Sequence, residues 1–412
     1  MKKPTNWLPL FSTNFLGVFN DNFLKNLICF VCIYWFAKEN HSMIIAIASS
    51  LLVIPYIFFS PLAGSFAGTK SKVKIVRMAK LLEMPIMLIA IAGFYAESIY
   101  IVLFAMLLMG IQSAIFSPSK YGLIRDIGGV EGISFGTGSM EMLTFVAVLI
   151  GTFVAGVVSD IQNYREIILA SILILVALSG WLTSKKIVAK ESDPESISKE
   201  SVNPVVFLRN SFKYAMSISG LNYIVLSLST FWFIGSMLQM NLLIYCPNSL
   251  GMSNTETGIV MSLVAIGIGL GCGFAGLVSK DKINLKLLPF GGTGLSLSIS
   301  LIYILEPDGI VFKILLVLAS FSAGLFKVPL NAWIQKYVTG RKLGEMIAYN
   351  NLVVFIFILI SAGVFGLMES YFNSRIIFLI IAVFSWLITI VALLKIPNTA
   401  KQFFGIFNTR RS

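Results

Sequence analysis

The sequence predicts an all-α membrane protein with twelve transmembrane helices arranged as two pseudo-symmetric six-helix halves. Three observations predict this fold class. The 412 residues are 57% hydrophobic and only 12% charged, whereas a soluble protein carries about 25% charged residues. Apolar runs long enough to span a bilayer recur along the chain, and short motifs of the first half return in the second. A soluble globular protein is therefore excluded.

Each apolar run of about 20 residues is long enough to cross the bilayer as a helix. The predicted spans, numbered 1 to 12 in chain order, are 8–37, 43–68, 73–95, 98–118, 133–159, 165–184, 216–246, 257–279, 284–305, 310–335, 344–369 and 374–395. The first run is too long for the apolar region of a signal peptide and has no small-residue cleavage site. We therefore expect span 1 to remain in the mature chain.

Lysine and arginine concentrate in alternate loops. The loops after spans 2, 4, 6, 8 and 10 and both termini are rich in these residues, whereas the opposite loops carry only Lys38, Arg165, Lys313 and Arg375. Because basic loops stay on the cytoplasmic side, both termini are predicted to be cytoplasmic. The net charge of +12 then reflects membrane topology, and nucleic acid is not needed as a partner.

One polar segment of mixed charge, without an apolar period, divides the spans six and six. It predicts an N-terminal half at 1–184, a cytoplasmic linker at 185–213, a C-terminal half at 214–396 and a cytoplasmic tail at 397–412. The charged run K-E-S-D-P-E-S-I-S-K-E-S within the linker is typical of solvated chain.

Motifs at the ends of corresponding spans repeat between the halves. Pro118 near the end of span 4 aligns with Pro329 near the end of span 10, and an Ala-Gly pair ending at Gly68 aligns with one ending at Gly276. Two parallel six-helix repeats are the architecture of the major facilitator superfamily, in which the substrate site lies near the midplane between the halves. The loop after span 2 departs from the usual superfamily pattern, since Gly68 stands where an acid is common.

The first span carries an unusual polar stretch, Val18–Asn26, which reads V-F-N-D-N-F-L-K-N. Asp21 and Lys25 are four residues apart, so on a helix they share a face and can pair. Charges at membrane depth are costly and mark pathways or binding sites. These residues are interpreted as lining a polar cavity; the alternative is a purely structural pair against a neighbouring helix.

Further polar side chains lie inside later spans: Glu83 in span 3, Glu141 in span 5, Gln239 and Asn241 in span 7, Lys327 and Asn331 in span 10, and Asn350 and Asn351 in span 11. Lysines with carboxylates suit a zwitterionic or anionic ligand. Structural alternatives remain for two residues. Glu83 can pair with Lys80 at the cytoplasmic edge, and Lys120 can extend to the interface.

The sequence shows no catalytic or cofactor-binding apparatus. Cys29 and Cys32 form a C-x-x-C that is interpreted as small packing residues rather than a redox or metal site. No cluster has metal-ligand spacing, and no phosphate-binding P-loop is present. The chain is therefore predicted to be neither an enzyme nor ATP-driven, with no cofactor and no metal.

Four stretches together resemble one family. They are F-N-D-N (Phe19–Asn22), S-P-S-K-Y-G (Ser117–Gly122), V-P-L-N-A (Val328–Ala332) followed by Gln335, and A-Y-N-N-L (Ala348–Leu352). These stretches resemble the bacterial lysophospholipid transporter family of the major facilitator superfamily. The resemblance implies flipping of lysophospholipids, chiefly lysophosphatidylethanolamine, from the outer to the inner leaflet of the inner membrane. It also implies a cytoplasmic acyltransferase/acyl-carrier-protein synthetase as a partner that reacylates them.

The resemblance also implies roles for individual positions. Asp21 and Asn22 are expected near the headgroup, and Lys120 and Tyr121 in the cytoplasmic gate. The chain departs from the family at Lys25, where an apolar residue is expected, and at Gln239, where an arginine is expected. A cation has thus moved from span 7 to span 1.

The sequence thus predicts a secondary transporter, acting as a monomer by alternating access, with lysophospholipid and membrane lipid as partners. The predicted substrate-binding residues are Asp21, Asn22, Lys25, Glu141, Gln239, Asn241, Lys327, Asn331 and Asn351, and the predicted gating residues are Pro118, Lys120, Tyr121 and Pro329. One alternative is a proton-coupled exporter of drugs or a small polar solute, with Asp21 or Glu141 carrying the proton. Another is a non-transporting membrane partner that scaffolds a lipid-modifying enzyme.

Overall fold

The computed structural model describes residues 6–31, 35, 41–161, 163–191, 203–279 and 282–401. Its helices are α1 (Leu8–Phe30), α2 (His41–Thr69), α3 (Lys72–Tyr95), α4 (Ile99–Gly128), α5 (Ile133–Ser159), α6 (Arg165–Lys185), α7 (Pro204–Ser217), α8 (Leu221–Leu250), α9 (Asn254–Ser279), α10 (Leu287–Leu305), α11 (Gly309–Tyr337), α12 (Arg341–Tyr371) and α13 (Ser374–Lys395). The described residues form no strand. The all-α prediction is confirmed, and every predicted span corresponds to one long helix.

Some sequence predictions fall outside the described residues. They concern Cys32 of the C-x-x-C pair, the basic residues Lys2, Lys3, Lys38, Lys280, Arg410 and Arg411, and most of the charged run of the linker. The cysteines that are described, Cys29, Cys246 and Cys272, are free thiols.

Two helix ends differ most from the sequence prediction. Helix α1 ends at Phe30, and α4 continues to Gly128, well beyond the predicted end at Pro118. The apolar run does stop near Pro118, but the following polar residues keep the helical conformation. Ser119, Lys120 and Leu123 are all buried there, so the helix is held by packing rather than by contact with lipid.

The linker contains a helix, α7, where the sequence analysis expects none. Its start has two local causes. Asn203 accepts hydrogen bonds through Oδ1 from the backbone N–H groups of Val205 and Val206, and Pro204 occupies the first helical position, where its missing N–H costs nothing. With 14 residues, α7 is about 21 Å long, too short to cross a hydrocarbon core of about 30 Å.

Ten helices in the described part of the chain are long and apolar enough to cross a membrane on length and composition alone. Helices α1, α3 and the short α7 are not among them. Helix α1 carries the polar stretch of the sequence analysis, and α3 begins with several basic residues. The polar residues of α1 and the basic start of α3 lower the mean hydropathy of these two helices, and α7 is too short.

The helices form two compact units. The first comprises Met1–Gly129, Val146–Leu208 and Val338–Leu352. Within it, α3 packs against α4 and α6, α2 against α4, and α1 against α6. Its apolar core includes Phe23, Leu27, Met87 and Met106.

The second unit comprises Val130–Phe145, Arg209–Tyr337 and Val353–Ser412. Within it, α11 packs against α9 and α10, and α13 against α8 and α10. The first part of α5 belongs to this unit, and Gly138 meets Gly276 of α9 so closely that a Cβ atom on Gly138 would lie 2.6 Å from the Gly276 Cα. Residues at the start of α5 thus pack in the second unit, and residues at the start of α12 pack in the first. The division predicted from the sequence places them in the opposite halves. The halves at 1–184 and 214–396 stay a prediction about the sequence repeat.

Candidate functional site

A cavity of about 250 Å³ lies within the second unit. Its lining comes from α5, α8, α9, α10, α11 and α12 and includes Phe145, Phe231, Trp232, Gln239, Met261, Val264, Ile268, Leu295, Ala323 and Ile358. Most of these side chains are apolar or aromatic, so the cavity suits an apolar group. Gln239 is one of the few polar groups in the wall.

A buried ion pair connects α5 with α11 in the same unit. The Nζ atom of Lys327 lies 2.6 Å from Oε2 of Glu141, and the two side chains are 3% and 2% exposed. Asn331, one turn further along α11, donates through Nδ2 to the other carboxylate oxygen at 3.4 Å. Taking two charges out of water costs several kcal/mol per ion. An ion pair is therefore an expensive way to join two helices, and a role in ligand binding would account for that cost.

Aromatic rings connect this ion pair to the cavity. The Lys327 ammonium lies 4.6 Å from the ring centroid of Trp232, 5.3 Å from that of Phe145 and 5.8 Å from that of Phe231. All three rings also line the cavity. Ring faces attract cations at this distance. The three rings therefore contact the Lys327–Glu141 ion pair and also line the apolar cavity.

Asn241 occupies a different environment from Gln239, although both are on α8. Its Nδ2 atom donates to the backbone oxygen of Ser374 at 3.0 Å, at the start of α13, and the side chain is fully buried. Asn241 joins α8 to α13 and is not part of the cavity lining.

The predicted pairing of Asp21 with Lys25 is not formed. Both oxygens of Asp21 instead accept from the hydroxyl of Ser113 on α4, at 3.0 and 3.2 Å. Lys25 is half-buried, and no ion pair joins it to another residue in the described ranges. Pairs four residues apart on a helix gain only about 0.2–0.5 kcal/mol, so a hydroxyl from the neighbouring helix competes with such a pair.

The second buried charge cluster lies in the first unit. Lys80 and Glu83 form an ion pair at 2.5 Å, and each side chain is only 1% exposed. Asn20 of α1 donates to the other Glu83 oxygen at 2.8 Å. The structural alternative for Glu83, pairing with Lys80, is thus the arrangement observed, although the pair is buried rather than at an exposed edge. The sequence analysis did not single out Asn20 as a partner of Glu83.

Lys120 is buried and does not extend to the interface. Its Nζ atom donates to Oδ1 of Asn14 at 2.9 Å, and it lies 5.4 and 5.2 Å from the ring centroids of Phe116 and Tyr121. Nothing in the sequence spacing pointed to Asn14, because the contact joins residues 106 positions apart.

The other predicted site residues do not contact the Glu141–Lys327 pair in the hydrogen bonds described here. Asn22 donates to the backbone oxygen of Val18 in its own helix at 2.8 Å, and Asn351 donates to the hydroxyl of Ser117 at 3.0 Å. Pro118 and Pro329 lie inside α4 and α11. The structure therefore brings together Glu141, Lys327 and Asn331, with Gln239 in the wall of the adjoining cavity, and places the remaining candidates elsewhere within their units.

The connection between α2 and α3 is stabilised by an ion pair and by hydrogen bonds to a carboxylate. Lys72 forms an ion pair with Asp126 near the end of α4 at 2.6 Å. Glu191 accepts hydrogen bonds from the hydroxyl of Ser71 and from the backbone N–H groups of Lys72 and Val73, the first amides of α3. Carboxylates are favourable at a helix N-terminus. These contacts fix the connection from α2 to α3 even though Gly68 replaces the acid that is usual in this loop.

Comparisons with known proteins agree on the fold and the family. The family profile described as Major Facilitator Superfamily matches residues 13–356. Human organic anion transporter MFSD10 (TETRAN) superposes with a TM-score of 0.76 at 14% identity, covering 94% of this chain and 99% of that one. FucP in the outward conformation superposes with a TM-score of 0.74 at 15% identity, covering 94% and 98%.

Curated relatives are more similar in sequence. The chain is 26% identical over 322 residues to "Lysophospholipid transporter LplT" of Yersinia enterocolitica, covering 76% of each chain. It is 25% identical over 324 residues to the protein of the same name from Serratia proteamaculans, covering 76% of this chain and 77% of that one. The resemblance drawn from the sequence motifs is confirmed, and the relatives are transporters by name rather than enzymes. Together with the apolar helices, the profile match shows that the chain is a multi-pass membrane protein that belongs to the major facilitator superfamily.

Proposed function

We propose that the protein transports lysophospholipids, chiefly lysophosphatidylethanolamine, from the outer to the inner leaflet of the inner membrane by alternating access. The observation that carries the proposal is that one set of rings, Phe145, Phe231 and Trp232, bounds an apolar cavity and surrounds the Lys327 ammonium of a buried ion pair. A lysophospholipid has a charged headgroup joined to one apolar chain. The names of the curated relatives support the same substrate class.

The ion pair can exchange partners with a zwitterionic headgroup. Lys327 then binds the phosphate, as a compact cation suited to that group, and Glu141 accepts hydrogen bonds from the ammonium. Each buried charge keeps an opposite charge throughout, so neither is left uncompensated, which would cost about 3–5 kcal/mol. Asn331, which donates to Glu141 at 3.4 Å, helps to hold the carboxylate in place.

The acyl chain occupies the cavity beside the ion pair. Exposing each methylene group of the chain to water would cost about 0.8 kcal/mol, so a chain that leaves the bilayer needs an apolar cavity, whereas a free polar headgroup does not. Gln239 in the cavity wall is positioned near polar atoms at the glycerol end. A sugar or another small polar solute gains nothing from such a lining.

Residues of the first unit contribute further polar contacts along the substrate's path. Asp21, Asn22 and Lys25 on α1 and Asn351 on α12 are proposed to meet the headgroup. Asn241 is proposed to act through the position of α8, since it donates to the backbone of α13. The proposed gating residues are Pro118, Lys120, Tyr121 and Pro329. Both termini are proposed to be cytoplasmic, and the chain to act as a monomer that delivers lysolipid to a cytoplasmic acyltransferase/acyl-carrier-protein synthetase.

Uptake of lysophosphatidylethanolamine into proteoliposomes tests the proposal, against glycerophosphoethanolamine, drugs and sugars. We expect uptake of the lysolipid and none of the chain-free headgroup. Strictly proton-dependent export of a drug or solute, without a response to lysolipid, would establish the exporter instead. Absence of any flux, with binding to a lipid-modifying enzyme, would establish a scaffold.

A further inference from the structure

Helix α7 presents an outer surface that the transport function does not use. Val205, Phe212 and Met216 are 74%, 49% and 67% exposed, and Arg209 and Lys213 are exposed among them. These positions follow helical spacing, so the apolar and basic side chains share one side of α7. This set of five residues is called the outer face of α7 below.

The opposite face of α7 is anchored to the protein. Phe207, Ser211 and Ala215 recur every four residues, and all three are buried. The end of the helix is held as well, since Asn222 at the start of α8 donates to the backbone oxygen of Phe212 at 3.5 Å. One side of α7 is therefore buried, and its outer face is left exposed.

The position of α7 in the chain determines what its outer face meets. It lies in the connection between α6 and α8, both long and apolar enough to span the membrane, and only residues 218–220 separate it from α8. Gly220, the last of these residues, packs against Pro397 just beyond α13, since a Cβ atom on Gly220 would lie 2.3 Å from the proline Cδ. Because the ends of spanning helices lie near the membrane surface, a short helix joined to α8 by three residues is expected there, at the level of lipid headgroups.

We propose that the outer face of α7 binds the anionic lipid headgroups of the membrane surface, with its apolar side chains inserted beside them. Exposed apolar residues mixed with cations are the pattern of interfacial helices. Arg209 and Lys213 complement phosphate charges, and basic residues near a membrane are attracted to anionic lipid. The proposal goes beyond the transport function, because this surface belongs to neither the cavity nor the ion pair.

Hydrogen–deuterium exchange of the full-length protein in vesicles tests this surface. The vesicles are made of phosphatidylcholine, with or without phosphatidylglycerol, and exchange is followed in the peptide that covers 204–217. We expect slower exchange in the anionic vesicles. The attraction of one basic side chain to an anionic surface corresponds to about a fivefold change in the exchange rate. Arg209 and Lys213 together therefore set an upper limit of about thirtyfold.

Paired variants separate the charge from the apolar contribution. Arg209→Gln/Lys213→Gln should abolish the difference between the two vesicle types, whereas Phe212→Ser/Met216→Ser should speed exchange in both. Lys282→Gln/Lys286→Gln, which removes two basic residues from the connection between α9 and α10, is the matched control and should leave α7 unchanged. Thermal melting of each variant checks that it is folded.

Four outcomes would overturn the proposal. They are equal exchange of the native protein in both vesicle types, a difference that persists in Arg209→Gln/Lys213→Gln, protection as strong in detergent as in anionic vesicles, and protection that requires an added soluble protein. The last would identify a protein partner for this face. None of these readouts requires transport, so their failure is distinguishable from failure of the proposed function.

Discussion

The Lys327 ammonium and the Glu141 carboxylate form a buried ion pair at 2.6 Å between α11 and α5. The pair is adjacent to an apolar cavity through the three rings that both share. Charge and apolar space therefore occur side by side, as an amphiphilic ligand requires. Four predictions test what this and the neighbouring clusters do.

The first prediction concerns the balance of charge in the Glu141–Lys327 pair. Glu141→Gln or Lys327→Met alone leaves one buried charge uncompensated and should destabilise the protein by about 3–5 kcal/mol. The double variant removes both charges and should recover much of that stability, because well-packed neutral replacements of a buried pair are tolerated. Thermal melting of the purified variants measures the difference.

In the same variants, lysolipid uptake should not follow the stability of the protein. We expect lysolipid uptake to be lost in the double variant as well as in both single variants, since no charges remain to bind the headgroup. Arg375→Gln, which breaks the exposed pair of Arg375 with Glu306, is the control and should change stability by less than about 1 kcal/mol. Full uptake by a stable double variant would refute the headgroup role.

The second prediction concerns the volume of the cavity. Val264→Phe fills part of the space that we assign to the acyl chain. Two methylene groups that no longer fit are exposed to water, which corresponds to about a tenfold weaker affinity, so the apparent KM for long-chain lysolipid should rise about that much. Short-chain lysolipid should be less affected.

Leu270→Phe is the matched control for the cavity variant, because Leu270 is on the same helix with its side chain exposed. It should leave the uptake of both chain lengths unchanged. An equal effect of Val264→Phe on long and short chains would mean that the chain does not occupy this cavity.

The third prediction concerns the polar stretch of α1. Asp21→Asn keeps a group that can hydrogen-bond to Ser113 but removes the charge, and Lys25→Ala removes the half-buried cation. Both should reduce lysolipid uptake by at least about tenfold, since a charged hydrogen bond to a ligand is worth about 1.5–3 kcal/mol, while melting temperatures change little. Native uptake in both variants would remove α1 from the binding site.

The fourth prediction concerns the Lys80–Glu83–Asn20 cluster, which we assign to stability. Glu83→Gln leaves the Lys80 ammonium buried without its counter-charge and should cost about 3–5 kcal/mol. Asn20→Leu removes one hydrogen bond from Glu83 and should cost about 1–3 kcal/mol. Denaturation of the purified variants measures both; a fully stable Glu83→Gln protein that has lost uptake would instead place Glu83 in the transport site.

Features of the structure that depend on neighbouring residues in the sequence could be predicted from it. The spanning helices follow from apolar length, and the Lys80–Glu83 pair follows from its helical spacing. Partners distant in sequence were not predictable in this way. Glu141 and Lys327 were recognised as costly charges, but their pairing joins residues 186 positions apart and depends on how α5 packs.

Three other differences between the structure and the sequence prediction have related causes. Helix α4 continues past Pro118 because its polar end is buried, which hydropathy does not report. The only sequence signal for helix α7 is the capping pair Asn203 and Pro204. Two residues are too few to predict a helix. Asp21 contacts Ser113 instead of Lys25, because ion pairs within one helix are weak. Ser113 is on another helix, so only the tertiary structure brings it close.

Photo-crosslinking with a lysophosphatidylethanolamine that carries a diazirine on its acyl chain tests the binding mode most directly. The protein is labelled in proteoliposomes, and the crosslinked residues are identified by mass spectrometry. We predict labelling of the cavity wall at Phe145, Trp232, Val264 and Ile268, competed by unlabelled lysolipid and lost in Glu141→Gln/Lys327→Met. Labelling confined to exposed side chains such as Leu270 and Leu277, without competition, would contradict it.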